Sequence, residues 1–331
     1  MKLPARFLSL LTASAFLSAP LHAEEVTTDP VGVIKLEVLP GSDAALSAPL
    51  HRSPDFSGVV SEIDDSSTLT VQGTPEWDAD SFASSHYLFV NDGDMEGAYA
   101  VVSSNTADSV SLTFVSEDLN LGEDGGLSAG DRVSLIPFWT LGTLYPEDSV
   151  PDGTKILLFD RSVKGVDLAA SQIFTYFDGF GWFSGPTDGA SHPIYPDESY
   201  VIRAPSSDGF EVALSGSVNV SDFRLALNLV EEGSTQDIRL TSSLPVPAEL
   251  GSLFGADGVS DGDKVLFISN SEAGVDKAAS LIATYFDGFG WFSGPTDLND
   301  HLVQPGQGLI YRKSGSNPSI SVATISSPVV T

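Results

Sequence analysis

Cysteine is absent from the 331 residues. Its absence excludes disulfides, thiolate metal sites and lipid attachment through a Cys, so stability has to come from buried area. Basic residues are few: 15 Lys and Arg stand against 45 Asp and Glu, a formal charge of −30. So acidic a surface repels nucleic acid and anionic lipid. Its plain use is solubility, and it is compatible with divalent cations, cationic partners or a salty medium. Long apolar runs are missing as well. Phe7 to Phe16 falls short of the roughly 20 residues that cross a bilayer, and no later stretch is long enough, so the mature chain is expected to have no transmembrane segment. Catalytic motifs are also lacking: there is no Gly-x-Ser-x-Gly, no His-Glu-x-x-His and no phosphate-cradling glycine loop.

What is present begins with Lys2 and Arg6 ahead of that apolar run, then small residues leading to Ala23 and the acidic Glu24-Glu25. This pattern predicts a signal peptide over residues 1–23, and residues Glu24 to Pro30 read as a short leader. Val31 to Leu39 alternates as a strand and turns at Pro40-Gly41. Six short period-two segments follow between Ser53 and Phe138: Gly58 to Ile63, Leu69 to Val71, Tyr87 to Val90, Tyr99 to Val102, Val110 to Val115 and Arg132 to Ile136. Polar turns separate them, which predicts a small barrel or sandwich. Arg132 is the sole basic residue of this acidic region.

Beyond it the chain repeats at an offset of 109 residues from Leu141 to Arg203. Thr175 to Asp188, Thr-Tyr-Phe-Asp-Gly-Phe-Gly-Trp-Phe-Ser-Gly-Pro-Thr-Asp, returns letter for letter as Thr284 to Asp297. Leu36 to Leu39 and Gly41-Ser42 match Leu227 to Val230 and Gly233-Ser234 ahead of the second copy. The expected architecture is therefore all-β, with two tandem homologous sandwich-like or barrel-like units, the first interrupted by an inserted small barrel. The expected boundaries are 24–52 with 139–212 for the first unit, 53–138 for the insert and 213–331 for the second unit. The strand over Val31 to Leu39 is then expected to share a sheet with strands of the Lys155 to Arg203 region. Val246 to Phe254 and its counterpart Leu141 to Tyr145 are expected to form a turn or two of helix.

Each identical stretch reads as an aromatic hairpin closed by Asp178-Gly179 or Asp287-Gly288. A two-residue turn would place Ile173, Phe177, Phe180 and Trp182 on the core surface and leave Phe174, Tyr176 and Phe183 on the other; a four-residue turn would swap the pairings. Exposed aromatic rings stack on sugars, and two copies would give avidity. Tyr176, Trp182, Phe183, Tyr285, Trp291 and Phe292 are therefore candidate carbohydrate-binding residues. The alternative is that the rings are simply hairpin core. His192 and His301 each follow an Asp by four residues, too few ligands for a closed metal site. The acidic loops Asn91 to Glu96, Glu123 to Gly125 and Asp257 to Asp263 could accommodate calcium, although none has the twelve-residue EF-hand spacing; no other cofactor is indicated.

Asp29-Pro30-Val31-Gly32, Ser47-Ala48-Pro49-Leu50, Trp139-Thr140-Leu141-Gly142 and Pro305-Gly306-Gln307-Gly308 together resemble a family of uncharacterised exported proteins known mainly from Verrucomicrobia. The resemblance covers most of the mature chain and implies export, but no activity, catalytic residue or cofactor. The expected function is that of an exported, non-enzymatic structural or interaction protein of the cell envelope or extracellular space, partnered by a polysaccharide or another envelope protein. The alternative is a carbohydrate-binding protein that uses the duplicated hairpin.

Overall fold

The computed structural model describes residues 30–114, 121, 125–227, 229, 231, 233–255, 258–314 and 322–327. The expected signal peptide, the leader up to residue 29, Glu123, Asp124 and Asp257 lie outside them. The first strands are β1 (Val31–Val38) and β2 (Asp43–Ser47). Then come β3 (Phe56–Ile63), β4 (Thr68–Val71), β5 (His86–Val90), β6 (Tyr99–Asn105), β7 (Ser109–Phe114) and β8 (Arg132–Pro137). After β9 (Trp139–Thr140) and α1 (Leu141–Leu144) follow β10 (Lys155–Leu158), β11 (Gln172–Phe177), β12 (Gly181–Ser184), β13 (Thr187–Asp188), β14 (Pro193–Ile194), β15 (Ser199–Arg203) and β16 (Phe210–Ser217). The last part holds β17 (Phe223–Ala226), β18 (Gln236–Thr241), β19 (Ala248–Glu249), α2 (Leu250–Leu253), β20 (Lys264–Phe267), β21 (Leu281–Phe286) and β22 (Gly290–Ser293). It ends with β23 (Thr296–Asp297), β24 (Leu302–Val303), β25 (Gly308–Lys313) and β26 (Val322–Ile325).

The fold is nearly all β, with single helical turns at α1 and α2. The strands β3-β4-β7-β6-β5-β8 close into a barrel. Its interior is filled from alternating positions such as Val60, Leu69, Leu88, Val102, Leu112 and Leu135, as period-two strands require. β5 is buried along its whole length. Its inward residues line the barrel, while Tyr87 and Phe89 point outward with Tyr99 and Ile136 into a second core that also holds Phe223, Leu225 and Trp291. The barrel precedes β10 in the chain yet shares its outer aromatic face with the C-terminal sheet. Phe89 and Tyr99 both stack on Phe223, at 6.2 and 6.1 Å.

Two six-stranded antiparallel sheets make up most of the rest, one ordered β13-β12-β11-β10-β15-β2 and the other β23-β22-β21-β20-β25-β18. The strand order is the same in both. Each core face is covered by a two-stranded ribbon, β1 with β16 over the first and β17 with β26 over the second. This corrects the expected placement of Val31 to Leu39, which does not join strands of the Lys155 to Arg203 region. Among the described residues β1 pairs only with β16, Val31 opposite Ser217 through Val38 opposite Phe210, and its inner residues Leu36 and Val38 close the first core from above. The strand of this segment that does enter the six-stranded sheet is β2, against β15. The boundary expected between residues 212 and 213 falls inside β16.

β2 and β18 are edge strands, and exposed edges invite uncontrolled pairing. Here each edge is covered by the other sheet. Leu46 bridges Gln307 and Leu240 bridges Glu198, and the Thr241 hydroxyl donates to Ser47 Oγ at 2.7 Å between them. Gly308 sits at this crossing, where a Cβ would come within 2.9 Å of the Ser199 Cβ; a side chain there would push the strands apart.

Candidate functional site

The hairpins closest to the expected site adopt neither of the expected turns. Phe177 pairs with Gly181 and Tyr176 with Trp182, leaving a three-residue loop of Asp178, Gly179 and Phe180. Gly179 and Gly181 both take positive φ, at 70° and 91°, which glycine tolerates at no steric cost. This register reverses the expected faces of β11 and puts Phe180 in solvent, while Trp182 stays on the core side as expected. Phe174, Tyr176 and Trp182 enter the core, while Ile173 and Phe177 lie outside.

Four of the six candidate carbohydrate-binding residues are thereby removed from solvent. Trp182 and Trp291 are 1% and 0% exposed, and Tyr176 and Tyr285 are buried beside them. The indole N–H of Trp182 donates to the Tyr145 carbonyl at 3.0 Å, and that of Trp291 to the Phe254 carbonyl at 2.8 Å. Both acceptors cap the short helices, so each helical turn positions its tryptophan. No ring face of these four residues is open to a sugar. Phe183 and Phe292 remain half-buried, packed on Phe177 and Phe286. The residue that faces water is the loop phenylalanine, Phe180 at 81% and Phe289 at 76% exposure, flanked by Phe177 and Ile173 or Phe286 and Ile282.

Beneath the hairpins the two copies fill the same space differently. Phe174 lies over Gly189 and against the His192 ring at 4.9 Å. In the other copy these positions are Ala283, Leu298 and His301, and Phe267, on the neighbouring strand, takes the imidazole contact at 4.8 Å. The two histidines are thus packing partners of phenylalanine, and burial lowers the pKa of His192.

At the seam between the sheets lie Gly165-Val166-Asp167 and, at the same offset of 109, Gly274-Val275-Asp276. The Arg203 fork holds Asp43 at 2.6 and 2.8 Å within its own sheet and Asp276 at 2.6 Å from the other. Arg312 holds Asp237 at 2.6 and 2.9 Å and reaches back to Asp167 at 2.8 Å. The backbone follows the same reciprocity: Asp276 N–H donates to Asp43 and Asp167 N–H to Asp237, both at 2.8 Å. Asp167 and Asp276 have φ of 53° and 48°, a left-handed conformation that Asp adopts more readily than most residues. The signal that could have revealed the seam was the survival of Gly-Val-Asp and Arg in both copies amid changed neighbours. Arg312→Ala strands the mostly buried Asp237 and is expected to cost about 2 kcal/mol, between an exposed and a fully buried pair, read as a lower urea midpoint.

Between the sheets, bounded by these ion pairs, runs a groove of about 570 Å³. Leu157, Val201, Leu266 and Ile310 form its apolar walls, with Arg239 and Lys277 among its polar residues. A second pocket, of about 330 Å³, lies where the barrel meets both sheets. Here Asp197, 1% exposed, accepts from Tyr99 of the barrel and from Arg161, each at 2.6 Å. Burial and then the Asp197 charge push the Tyr99 pKa up. Glu198 is next in sequence, and burial raises its pKa to about 7.

Several described residues of the acidic loops have protein partners. The Asp92 carboxylate accepts from the Arg132 backbone N–H and Nε, Asp263 accepts from Tyr311 at 2.5 Å, and the Asp94 and Glu96 backbone carbonyls accept from Arg224. Among the described residues no group of three or more His, Asp or Glu stands close enough to hold a metal ion. Ser85, His86 and Asp55 form a hydrogen-bonded line, 2.8 Å from Ser85 Oγ to Nδ1 and 2.9 Å from Nε2 to Asp55, with the imidazole buried and none of the three lining either cavity.

The sheets and barrel define an all-β protein, and no helix among the described residues is long and apolar enough to cross a membrane. Compared with models of known protein families, with curated proteins and with solved structures, the chain matches none.

Proposed function

We propose that the chain is an exported, non-enzymatic interaction protein of the cell envelope or extracellular space, docking through its two hairpin tips. Its body is two copies of one β unit held together by the reciprocal arginine seam, the first copy having accepted the barrel at the loop between β2 and β9. The observation that carries the reading is the pair of exposed patches, Ile173, Phe177 and Phe180 with Ile282, Phe286 and Phe289. On the buried face the two copies keep Tyr176 and Trp182 but trade Phe174 for Ala283 and Gly189 for Leu298. The exposed phenylalanines are unchanged, although Phe159-Asp160-Arg161 upstream has become Ile268-Ser269-Asn270. Apolar residues retained where they cost solubility indicate a partner. Two equal patches give bivalent attachment, which gains affinity without a new contact. The expected export and the resemblance to exported proteins support a location beyond the cytoplasmic membrane.

The test is the double variant Phe180→Ser, Phe289→Ser. Its stability should stay within about 0.5 kcal/mol of the parent, as for other surface changes. In fractionated cells of the source organism the parent should sediment with the envelope and the variant move to the soluble fraction. A variant that sediments like the parent would refute docking through the tips. Of its six candidates the carbohydrate reading is left with Phe183 and Phe292, beside which the exposed Phe180 and Phe289 would add a ring each. It requires the parent, and not the variant, to co-sediment with an insoluble polysaccharide such as cellulose, chitin or peptidoglycan.

A further inference from the structure

β18 reads Gln-Asp-Ile-Arg-Leu-Thr, and its alternation puts Ile238 and Leu240 into the core. Asp237, Arg239 and Thr241 face the other way. Asp237 binds Arg312 and Thr241 binds Ser47, whereas Arg239 faces the groove between the sheets. Its counterpart on β2 is Ala45, which sits likewise between Asp43 and Ser47 and packs on Ile268. A small apolar residue therefore meets the packing need at this position. Arg239 instead lies over the Phe159 ring, its guanidinium carbon 3.5 Å from the ring centroid. Among the described residues no acceptor stands within hydrogen-bond distance of its five N–H groups, and burial lowers its pKa to about 10. A half-buried guanidinium without an acceptor is costly, and the space in front of it is open.

We infer that this groove binds an amphipathic monoanion, its carboxylate or sulfonate head on the Arg239 fork and its apolar body against Leu157, Val201, Leu266 and Ile310. The size lies within the 300–1,000 Å³ or so typical of small-ligand sites, as does the combination of apolar walls with a few polar anchors. A planar fork pairs with a carboxylate through two parallel hydrogen bonds. The acids of the rim do not stand bare against such a ligand: Arg203 holds Asp43 and Asp276, and Arg312 holds Asp167 and Asp237. On the far wall the Lys277 ammonium donates to the Ser269 and Glu272 carbonyls and to no carboxylate. Arg203, Arg239, Lys277 and Arg312 thus gather here in a chain with only 15 basic residues. They offset four aspartates and leave the groove near neutral, where the surface elsewhere repels anions.

The probe is 8-anilino-1-naphthalenesulfonate, an apolar sulfonate that fluoresces when desolvated, titrated into the full chain. One saturable site is expected, emptied by octanoate but not by 1-octanol or octylamine at equal concentration. Arg239→Met keeps the apolar stem over Phe159 and removes the fork; it should weaken both anions at least tenfold at unchanged melting temperature, and Arg239→Lys should recover part of the loss. Ala169→Trp, at an exposed position on the groove wall, should block the probe with the guanidinium intact. If Arg239→Met binds both anions as the parent does, or if octanol displaces the probe as well as octanoate, the inference is wrong. Should Arg239→Met not fold, the octanoate and octanol competition on the parent together with Ala169→Trp decides.

Discussion

Trp291→Ala is expected to lower the unfolding free energy by about 3–5 kcal/mol, the range for deleting a large aromatic from a core. Trp291 is wholly buried, with Tyr285 at 5.3 Å, Phe254 at 6.2 Å and Tyr311 at 6.5 Å between ring centroids. Truncation opens a cavity that these rings can only partly fill, and it strips the Phe254 carbonyl of its donor, an added loss of about 1 kcal/mol. Trp291→Phe weights the two contributions differently, since it loses the whole hydrogen bond but only a small part of the volume. The same core includes Tyr87, Phe89 and Tyr99 of the barrel, so the near-UV circular dichroism of the barrel aromatics should change with that of the sheet. Urea denaturation of parent and both variants is the measurement. A Trp291→Ala midpoint equal to the parent's would mean that the indole is not a core group, and the sugar-stacking reading of Trp182 and Trp291 would stand again.

The expected facing of β11, with Tyr176 outside and Phe177 inside, failed for a definite reason. A hairpin's facing depends on loop length, and Asp-Gly-Phe-Gly supports loops of two, three or four residues with similar chemistry. The all-β character, the barrel and the helical turns were legible because each rests on local signals: period-two runs, Asp and Gly turns, and apolar residues at helical spacing. The six barrel strands fall within a few residues of their expected ranges. Placement of β1 depended on a long-range choice that periodicity does not encode, since its alternation suits a covering ribbon as well as a sheet strand. The barrel's docking depended on β5, whose unbroken burial reads in sequence only as a short apolar run. The seam was visible as repeated letters, but an ion pair needs two positions far apart in sequence, such as Asp167 and Arg312, to be known as neighbours. Two further short segments lie at such junctions: Trp139 donates to the Leu50 carbonyl at 2.7 Å, and Gly308 sits at the strand crossing.

Glu198→Gln should change how stability depends on pH. Burial holds the Glu198 carboxyl at about 7, against an ordinary value near 4.5. The groups around it are Arg161, whose charge favours ionisation, Asp197, which opposes it, and the Tyr195 N–H, which donates weakly at 3.4 Å. The folded chain therefore binds this proton more tightly than the unfolded chain. The favourable contribution is complete below about pH 4.5 and is lost as pH rises through 7. Across the full interval the shift corresponds to about 3 kcal/mol, and between pH 5 and pH 8.5 to about 2–3 kcal/mol. Glutamine keeps the shape and the acceptor without the charge, so the variant should gain that much on the parent over the same range. Because the parent's other titrating groups cancel in the difference, two urea series at pH 5 and pH 8.5 suffice. Parallel curves would show that Glu198 ionises in the fold as it does in water. A difference of the expected sign would place a carboxyl that still binds its proton at mildly acidic pH beside the Tyr99, Asp197 and Arg161 contacts that join the barrel to the first sheet.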